Sequence, residues 1–541
     1  MTDQADSSQL ELLPKEEAAR SRSSRNGRAT AQIMASQQRE ISVSEFFSRN
    51  RHLLGFDNPR RALLTGIKEA VDNSLDACEE AGFLPEIKVD IKQIDEDRYL
   101  IRVEDNGPGI VKSQVPNIFG KLLYGSKFHR LKMSRGQQGI GISAASMYGQ
   151  LTTGKPAQII SRTKAGRAAH LYEIQINTTR NKPEIVREEA IEWDSPRGTV
   201  VEIEMEARYL RGRQSVDEYL RQTALANPHL RLIYSAPDGR ETVYENTAAE
   251  LPPEPLEVKP HPHGIELGVL MKMLQATQHR TLQGFMTQEF SRVSVRVAKE
   301  ICARAELSAN ARPRNIAREE SDQLFKAIDQ TKLMKPPTDC IVPIGEELLL
   351  SSLKQSLNAA FYTSATRPPA VYRGNPFQVE VAMAFGGDIE PEGALSLMRF
   401  ANRVPLLYQQ AACAITRTLI DTDWRNYRIS QSSGALPSGP LAVVVHLASV
   451  WVPFTSESKE AIAHYPEIMK EIRLALQECG RRVAEHIGRQ RRAAEAERKK
   501  SYIQQYIGHI AEALQEINGD TPEATRQVAD DLQIILERSR S

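Results

Sequence analysis

Two periods of apolar and polar residues run along the chain. Alternating or β-rich runs near Glu86–Ile94, Arg98–Glu104, Ala157–Arg162 and Gly198–Glu204 predict strands, and Tyr99, Ile101 and Val103 take every second place in the clearest of them. Between them Ile67, Val71, Ser74, Leu75 and Cys78 recur at helical spacing, which puts Glu69, Asp72, Asn73 and Asp76 on the opposite, outward face. Gly141–Tyr148 opens another helix. Pro252, Pro253, Pro255 and Pro260 mark a linker. Residues 258–336 then read as mostly helical, with a central helix around Val293–Ile301 flanked by 263–270 and 314–320. Beyond Pro336 and Pro337, strand patterns at Val379–Phe385, Leu395–Phe400 and Leu441–Val452 alternate with helical ones at Gln409–Leu419 and Ser458–His486, which predicts a sheet with crossover helices. The pattern stays helical through 487–541, whereas residues 1–38 lack apolar periodicity and are expected to be disordered. The most apolar run, Leu441 to Phe454, is interrupted by His446 and Ser449 and reads as a buried strand, too short and too polar for a membrane span.

Three segments carry candidate chemistry. On the face that begins at Glu69, three carboxylates within two turns repel one another by roughly 0.2–0.5 kcal/mol per like pair, and a bound cation would relieve that. Mg2+ takes oxygen ligands, keeps several waters and is shared between one or two protein oxygens and phosphates, a role open to the Asn73 carboxamide; a solvated acidic face is the alternative. Asp105 ends a strand just before Asn106-Gly107-Pro108-Gly109. An ionised Asp only accepts, which suits an exocyclic amine, and the two glycines would let backbone approach a ring; the same residues also make an ordinary turn. The third segment, Gly136-Gln137-Gln138-Gly139-Ile140-Gly141-Ile142-Ser143, runs into a helix, so its N–H groups suit phosphate oxygens, unless it is only a flexible surface loop. It lacks the Lys-Ser/Thr pair of a Walker loop.

Taken in order, the three segments resemble the N, G1 and G2 boxes of the GHKL ATPases, the group of gyrase B, MutL, the heat-shock chaperone ATPases and histidine kinases. Over most of its length the chain is similar to the B-subunit family of type IIB DNA topoisomerases. Ile41–Phe47 looks like that family's N-terminal strap, Leu53–Pro59 its following turn, Lys121–Phe128 its lid and Phe454–Glu460 a loop of its transducer domain. The resemblance implies an α+β multidomain fold: a GHKL (Bergerat) ATPase α/β sandwich over 39–257, a helix-two-turn-helix insert over 258–336, a ribosomal-S5-like transducer domain over 337–486 and a helical extension over 487–541. It implies ATP and Mg2+ as ligands. Glu69 is then expected to polarise a water, Lys459, at a helix start, to meet the terminal phosphate, and Asn73 to hold the metal. Nucleotide contacts are expected from Asp76, Asp105, Gly109, Ser126, Lys127, Gly136, Gln137, Gln138, Gly139, Ile140, Gly141, Ile142, Ser143 and Thr199, the last in the place of the family's G3 threonine. The implied partners are a second copy joined on ATP binding, with the strap closing over its neighbour's site, duplex DNA, and a DNA-cutting A subunit in an A2B2 heterotetramer. A MutL-like repair ATPase and a non-hydrolysing nucleotide-gated clamp are the competing readings; the helical insert and Ser456–Ala463 argue against the first, and Glu69 against the second.

Composition changes little. Lysine and arginine number 70 against 69 aspartate and glutamate, so DNA contact requires a local patch; candidates are the eight basic residues within 481–500, Arg20, Arg22, Arg25 and Arg28 in the tail, and Lys299, Arg304, Arg312 and Arg314, each equally readable as ordinary surface charge. Five cysteines without a C-x-x-C pair argue against zinc and for a reducing compartment, and no signal-peptide pattern is visible, so a cytoplasmic protein is expected; the resemblance implies that it is nucleoid-associated. Asp388, Glu390 and Glu392 are the one further carboxylate cluster, and the surrounding glycine and proline predict an exposed loop.

Overall fold

The computed structural model describes residues 31–36, 38, 40–127, 130–136, 139–519 and 521–538. The basic tail residues before Ala31 lie outside the described residues. Ala31–Ser36 forms a short helix, α1, inside the stretch whose composition predicts disorder. In α2 (Val43–Arg49), Ser42 caps the helix by accepting from Glu45 N at 3.0 Å, and Ser44 donates to Asn181 of the same chain at 2.8 Å. The helix α3 (Pro59–Glu80) starts with proline in its first turn and with the Asn58 carboxamide accepting from Arg61 N at 2.9 Å.

Strands β1 (Glu86–Asp95), β2 (Arg98–Asp105), β3 (Ala157–Arg162), β4 (Ala169–Asn177), β5 (Lys182–Ile191), β6 (Gly198–Glu206), β7 (Arg231–Ser235) and β8 (Glu241–Tyr244) form one sheet in the order β5-β4-β3-β6-β2-β1-β7-β8. Only β1 and β7 pair in parallel. Burial alternates along β2 and β3, so one face is apolar and the other polar. The apolar face packs under α3, α4 (Val115–Gly120), α5 (Gly141–Thr153) and α6 (Val216–Ala226), around Ile67, Leu75, Ile101, Ile203 and Tyr219. The other face carries cross-strand ion pairs, Arg98 with Glu204 and Arg102 with Glu202. This is the expected two-layer sandwich.

A separate apolar cluster holds α7 (Leu267–Ala276), α8 (Leu282–Glu289), α9 (Val295–Arg304) and α10 (Arg318–Gln330) together. After α11 (Glu346–Ser356), strands β9 (Phe361–Thr366), β10 (Ala370–Tyr372), β11 (Asn375–Phe385), β12 (Ser396–Ala401), β13 (Val404–Pro405) and β14 (Leu441–Ser449) make a second sheet. Here β12 and β14 run parallel, joined through α12 (Ala414–Asp421). Every residue of β14 is buried, because α12 and α13 (Pro466–Asn518) cover one face and α11 with the end of α6 the other, which explains the unbroken apolar run. His446 survives in that strand because its Nδ1 donates to Glu380 at 2.7 Å while its Nε2 accepts from Arg403 N at 3.0 Å. The turn bearing Asp388, Glu390 and Glu392 is exposed.

Two helix starts differ from expectation. The helix predicted from Ser458 begins at Pro466, because Thr455 N bonds Ala461 O at 2.9 Å and Phe454 bridges Ile462, closing the intervening residues into a loop. Lys459 therefore sits in that loop and not at a helix start. The helix predicted from Gln409 begins at Ala414, after a short 3-10 turn. From Pro466, α13 runs 53 residues, about 80 Å at 1.5 Å per residue, passes 487 without a break, and is met by α14 (Pro522–Arg538) folding back along its far end. No helix among the described residues is long and apolar enough to cross a membrane.

Phe400 is fully buried in the cluster that joins the second sheet to Leu225 and Ala226 of α6. Phe400→Ala is expected to cost about 3–5 kcal/mol in chemical denaturation, and a loss below about 1 kcal/mol would show that this seam is not packed.

Candidate functional site

A cavity of about 610 Å³ opens between α3, the β2 and β6 ends, the start of α5, the segment 124–127, and two pieces of the second-sheet domain, Pro405–Tyr408 and Glu457–Glu460. Glu69, Asn73, Asp105, Gly109, Ser126, Lys127, Gly136, Gly139, Ile140, Gly141, Ile142, Ser143, Thr199 and Lys459 all line it. Gln137 and Gln138 lie outside the described residues, as does Phe128 of the lid.

Within the cavity wall, register brings Asp105 and Thr199 side by side on β2 and β6. The Asp105 carboxylate accepts from Ser74 Oγ at 2.9 Å, Gly107 N at 2.9 Å and Thr199 N at 3.2 Å, so it is held from the helix, the turn and the neighbouring strand at once. Burial pushes its pKa up to about 6 although these three donors oppose the rise. Gly109 has φ +68, and a Cβ there would lie 2.2 Å from the Arg162 carbonyl oxygen; the glycine lets this turn close onto β3.

The first turn of α5 meets Glu69. A Cβ on Gly141 would fall 1.7 Å from Glu69 Oε2, so only glycine leaves the carboxyl group its place at the helix start. Asn73 is the exposed member of the α3 face, and its Oδ1 lies 3.6 Å from where a Gly136 Cβ would be. No group of three His, Cys, Asp or Glu suited to a metal occurs among the described residues, so oxygens such as that of Asn73 are what the cavity offers a hard cation.

The outward acidic face needs correction. Asp72 and Asp76 are buried, and protein side chains already partner both carboxyl groups. Asp76 is turned away from the cavity: Lys127 Nζ donates to it at 2.7 Å and Arg135 at 2.9 Å. Burial favours the protonated acid, yet these two cations hold the Asp76 carboxyl below its usual range. Asp72 accepts from Tyr219 OH at 3.0 Å, and burial pushes its pKa up to about 7. Lys459 reaches into the cavity, where its Nζ donates to the Arg135 carbonyl at 3.2 Å; burial holds its pKa below the ordinary lysine value, with Glu69 opposing that shift. Its backbone φ is 52°, uncommon for a residue with a side chain.

Sequence reasoning missed Arg135, although it directly precedes the glycine loop. It also missed Tyr219, which the packing of α6 on α3 brings here, and Pro405–Tyr408, which the packing of the second-sheet domain brings; no local signal marks either.

The family description "Histidine kinase-, DNA gyrase B-, and HSP90-like ATPase" matches residues 58–208, and "Topoisomerase VI B subunit, transducer" matches 336–499. The B subunit of type 2 DNA topoisomerase 6 from Methanococcoides burtonii is 48% identical over 501 residues, covering 92% of this chain and 80% of its own. The chain belongs to the B-subunit family of type 2 DNA topoisomerase 6. Another member, from Archaeoglobus fulgidus, is also 48% identical, over 485 residues, covering 90% of this chain and 80% of its own. In this topoisomerase B subunit, the 58–208 match holds α3, the glycine loop and Thr199, while Lys459 comes from the 336–499 match; the cavity lies where the two meet.

Asp72 makes stability depend on pH. Its folded pKa of about 7 exceeds the ordinary 3.8, so the stability tied to its proton is complete below 3.8 and is lost as pH rises toward and through 7. Asp72→Asn is therefore expected to leave the melting temperature near that of the parent at pH 4 and to raise it above the parent at pH 8. A gap that does not widen between the two pH values would assign Asp72 an ordinary pKa.

Proposed function

We propose that Mg-ATP binds in this cavity and is hydrolysed there to drive a gate for duplex DNA. As a member of the B-subunit family the chain is the ATP-hydrolysing subunit of a type II DNA topoisomerase. The observation that carries the site assignment is that a single cavity is lined by Asp105 and Thr199, paired across β2 and β6, together with Glu69, Asn73, the described part of the glycine loop and Lys459. Asp105 has acceptor capacity beyond its three donors, which suits the amine of adenine, with Thr199 beside it. The Gly136–Ser143 segment offers N–H groups at the start of α5 to the phosphates. Asn73 is the residue proposed to hold Mg2+, which when bound would neutralise charge that develops on the phosphates. Glu69 orients a water and takes its proton, and the Lys459 ammonium offsets charge on the terminal phosphate.

ATP favours the closed dimer because it binds that form better, and hydrolysis removes the preference. In the closed form the strap would cover the partner's site. The family name implies an A subunit as partner. The A2B2 heterotetramer, the double-strand break in the A subunit, and the relaxation and decatenation of DNA in a cytoplasmic, nucleoid-associated setting complete the proposal.

Glu69→Ala is expected to lower ATP turnover by about two to four orders of magnitude while nucleotide-dependent dimerisation persists, read by a phosphate-release assay and by sedimentation with a non-hydrolysable analogue. Turnover near the parent rate would remove Glu69 from its role. Asn73→Ala is expected to abolish the Mg2+ dependence of nucleotide affinity in titration calorimetry; an unchanged dependence places the metal on other oxygens. Supercoil relaxation that requires ATP, the A subunit and this chain together tests the whole assignment, and ATP-independent relaxation would refute it.

A further inference from the structure

The two pieces of the second-sheet domain that line the cavity come from distant parts of the sequence, yet one residue of α3 touches both. Arg61, in the first turn of α3, donates to Asp57 at 2.9 Å, to Ser458 Oγ at 3.4 Å and to Glu460, and its guanidinium carbon lies 5.3 Å from the centre of the Tyr408 ring. The Arg61 and Glu460 side chains are 15% and 8% exposed, so the pair is shielded from water and is no ordinary surface bridge.

Glu460 follows Lys459 directly. The loop closes on itself through Lys459 N to Ser456 O at 3.1 Å and Thr455 N to Ala461 O at 2.9 Å. These bonds shape the loop but do not aim it at α3. The left-handed backbone of Lys459 is strained and persists only where the surroundings over-determine it. Glu460 supplies that determination: Oε1 meets Arg61, and Oε2 is buried without a hydrogen-bond partner among the described residues. A buried carboxylate with one cation for a partner is strongly disfavoured once that cation leaves. Without Arg61, Glu460 would turn outward to be hydrated and take its neighbour with it.

We propose that Arg61 and Glu460 are positioning residues, a latch that presents Lys459 to the terminal phosphate, with Tyr408 packing beneath the guanidinium. The inference rests on the role proposed above for Lys459. Neither residue of the latch need touch nucleotide.

The test measures single-turnover ATP cleavage and nucleotide affinity in the full chain for Glu460→Gln, Arg61→Ala, Arg61→Lys and Lys459→Ala, and for Glu460→Gln combined with Lys459→Ala. Glu460→Gln is nearly isosteric and remains informative should Arg61→Ala fail to fold. Cleavage in Glu460→Gln is expected to fall roughly tenfold with nucleotide affinity within about threefold of the parent, and Arg61→Lys to retain more activity than Arg61→Ala. In the Lys459→Ala background the Glu460→Gln change is expected to cost less than about twofold, because its effect has already been removed. Equal losses in both backgrounds would mean the pair merely supports the fold, and a Glu460→Gln variant as active as the parent would also overturn the latch. If Lys459→Ala itself cleaves normally, the role of Lys459 falls first and the latch falls with it, an outcome distinct from the other two.

Discussion

The guanidinium of Arg135 neutralises an accumulation of charge that α3 could not otherwise bury. It is almost fully enclosed, donates to Asp76 at 2.9 Å and to Glu79 at 2.7 and 2.8 Å, and bonds Asn227 on the far side. Two carboxylates on adjacent turns of a helix in low dielectric are tolerable only with a cation between them, and breaking such an arrangement by removing one member costs about 3–5 kcal/mol. Much else follows from this placement. The glycine loop begins at the next residue, so its origin is pinned to α3, the helix that also carries Glu69 and Asn73. The Arg135 carbonyl is the group Lys459 holds. The segment leading to Arg135 is fixed by backbone bonds to both linkers of the helical insert, Val258 N to Leu131 O at 3.1 Å and Met133 N to Cys340 O at 2.8 Å.

The second-sheet domain reaches the same base from another direction. The two-residue turn between β12 and β13 has Asn402 at φ 49 and Arg403 at φ 67, a conformation for which Asn-Gly is the usual choice. Asn402 Nδ2 donates to Ser134 O at 3.0 Å while its Oδ1 accepts from Ser449 N at 2.9 Å. Asn227 Nδ2 donates to the Arg403 carbonyl at 3.4 Å, and Arg403 N meets His446, which is paired with Glu380. Hydrogen bonds thus run from Ser134 and Arg135, just before the glycine loop, to the middle of the second sheet within buried surroundings. A shift of residues 134–135 by even an ångström would have to be answered in that sheet, because interiors packed to this density do not deform smoothly.

What the sequence disclosed, and what it hid, divides along physical lines. Local periodicity reports burial on one face, so β2 and the stripe of α3 were legible, as was the Gly141 helix start. The site motifs were legible because glycines with special backbone and a carboxylate at a strand end leave a local signature. Asp72 and Asp76 misled: an acidic residue on the face away from the apolar stripe reads as solvated, and only the arrival of Tyr219, Lys127 and Arg135 from elsewhere in the chain makes that face an interior. Lys459 hid its conformation for a similar reason, since nothing in Ser456-Glu457-Ser458-Lys459 announces that a bridge from Phe454 to Ile462 and a later Pro466 deny it a helix. His446 looked like a flaw in an apolar strand because its partner, Glu380, lies on another strand.

Charge balance at the cavity then follows from which acids are already answered. Asp76 and Glu79 are committed to Arg135, and Lys127 is committed to Asp76 and Glu80. Asp72 resists ionisation near neutral pH because burial raises its pKa to about 7, and a phosphate chain arriving nearby would favour its proton further. Lys459 can change partners without exposing a buried charge, since a neutral carbonyl oxygen holds it here. Exchanging that carbonyl for an anionic oxygen turns a neutral acceptor into a charged one, which roughly doubles the strength of the hydrogen bond. With a phosphate oxygen as that anion, as proposed above, the gain would be available only when the Lys459 loop and Arg135 are both in place, and it would disappear with the phosphate. A lysine held by a carbonyl is therefore better suited to sensing than one already salt-bridged, which would have to break an ion pair first.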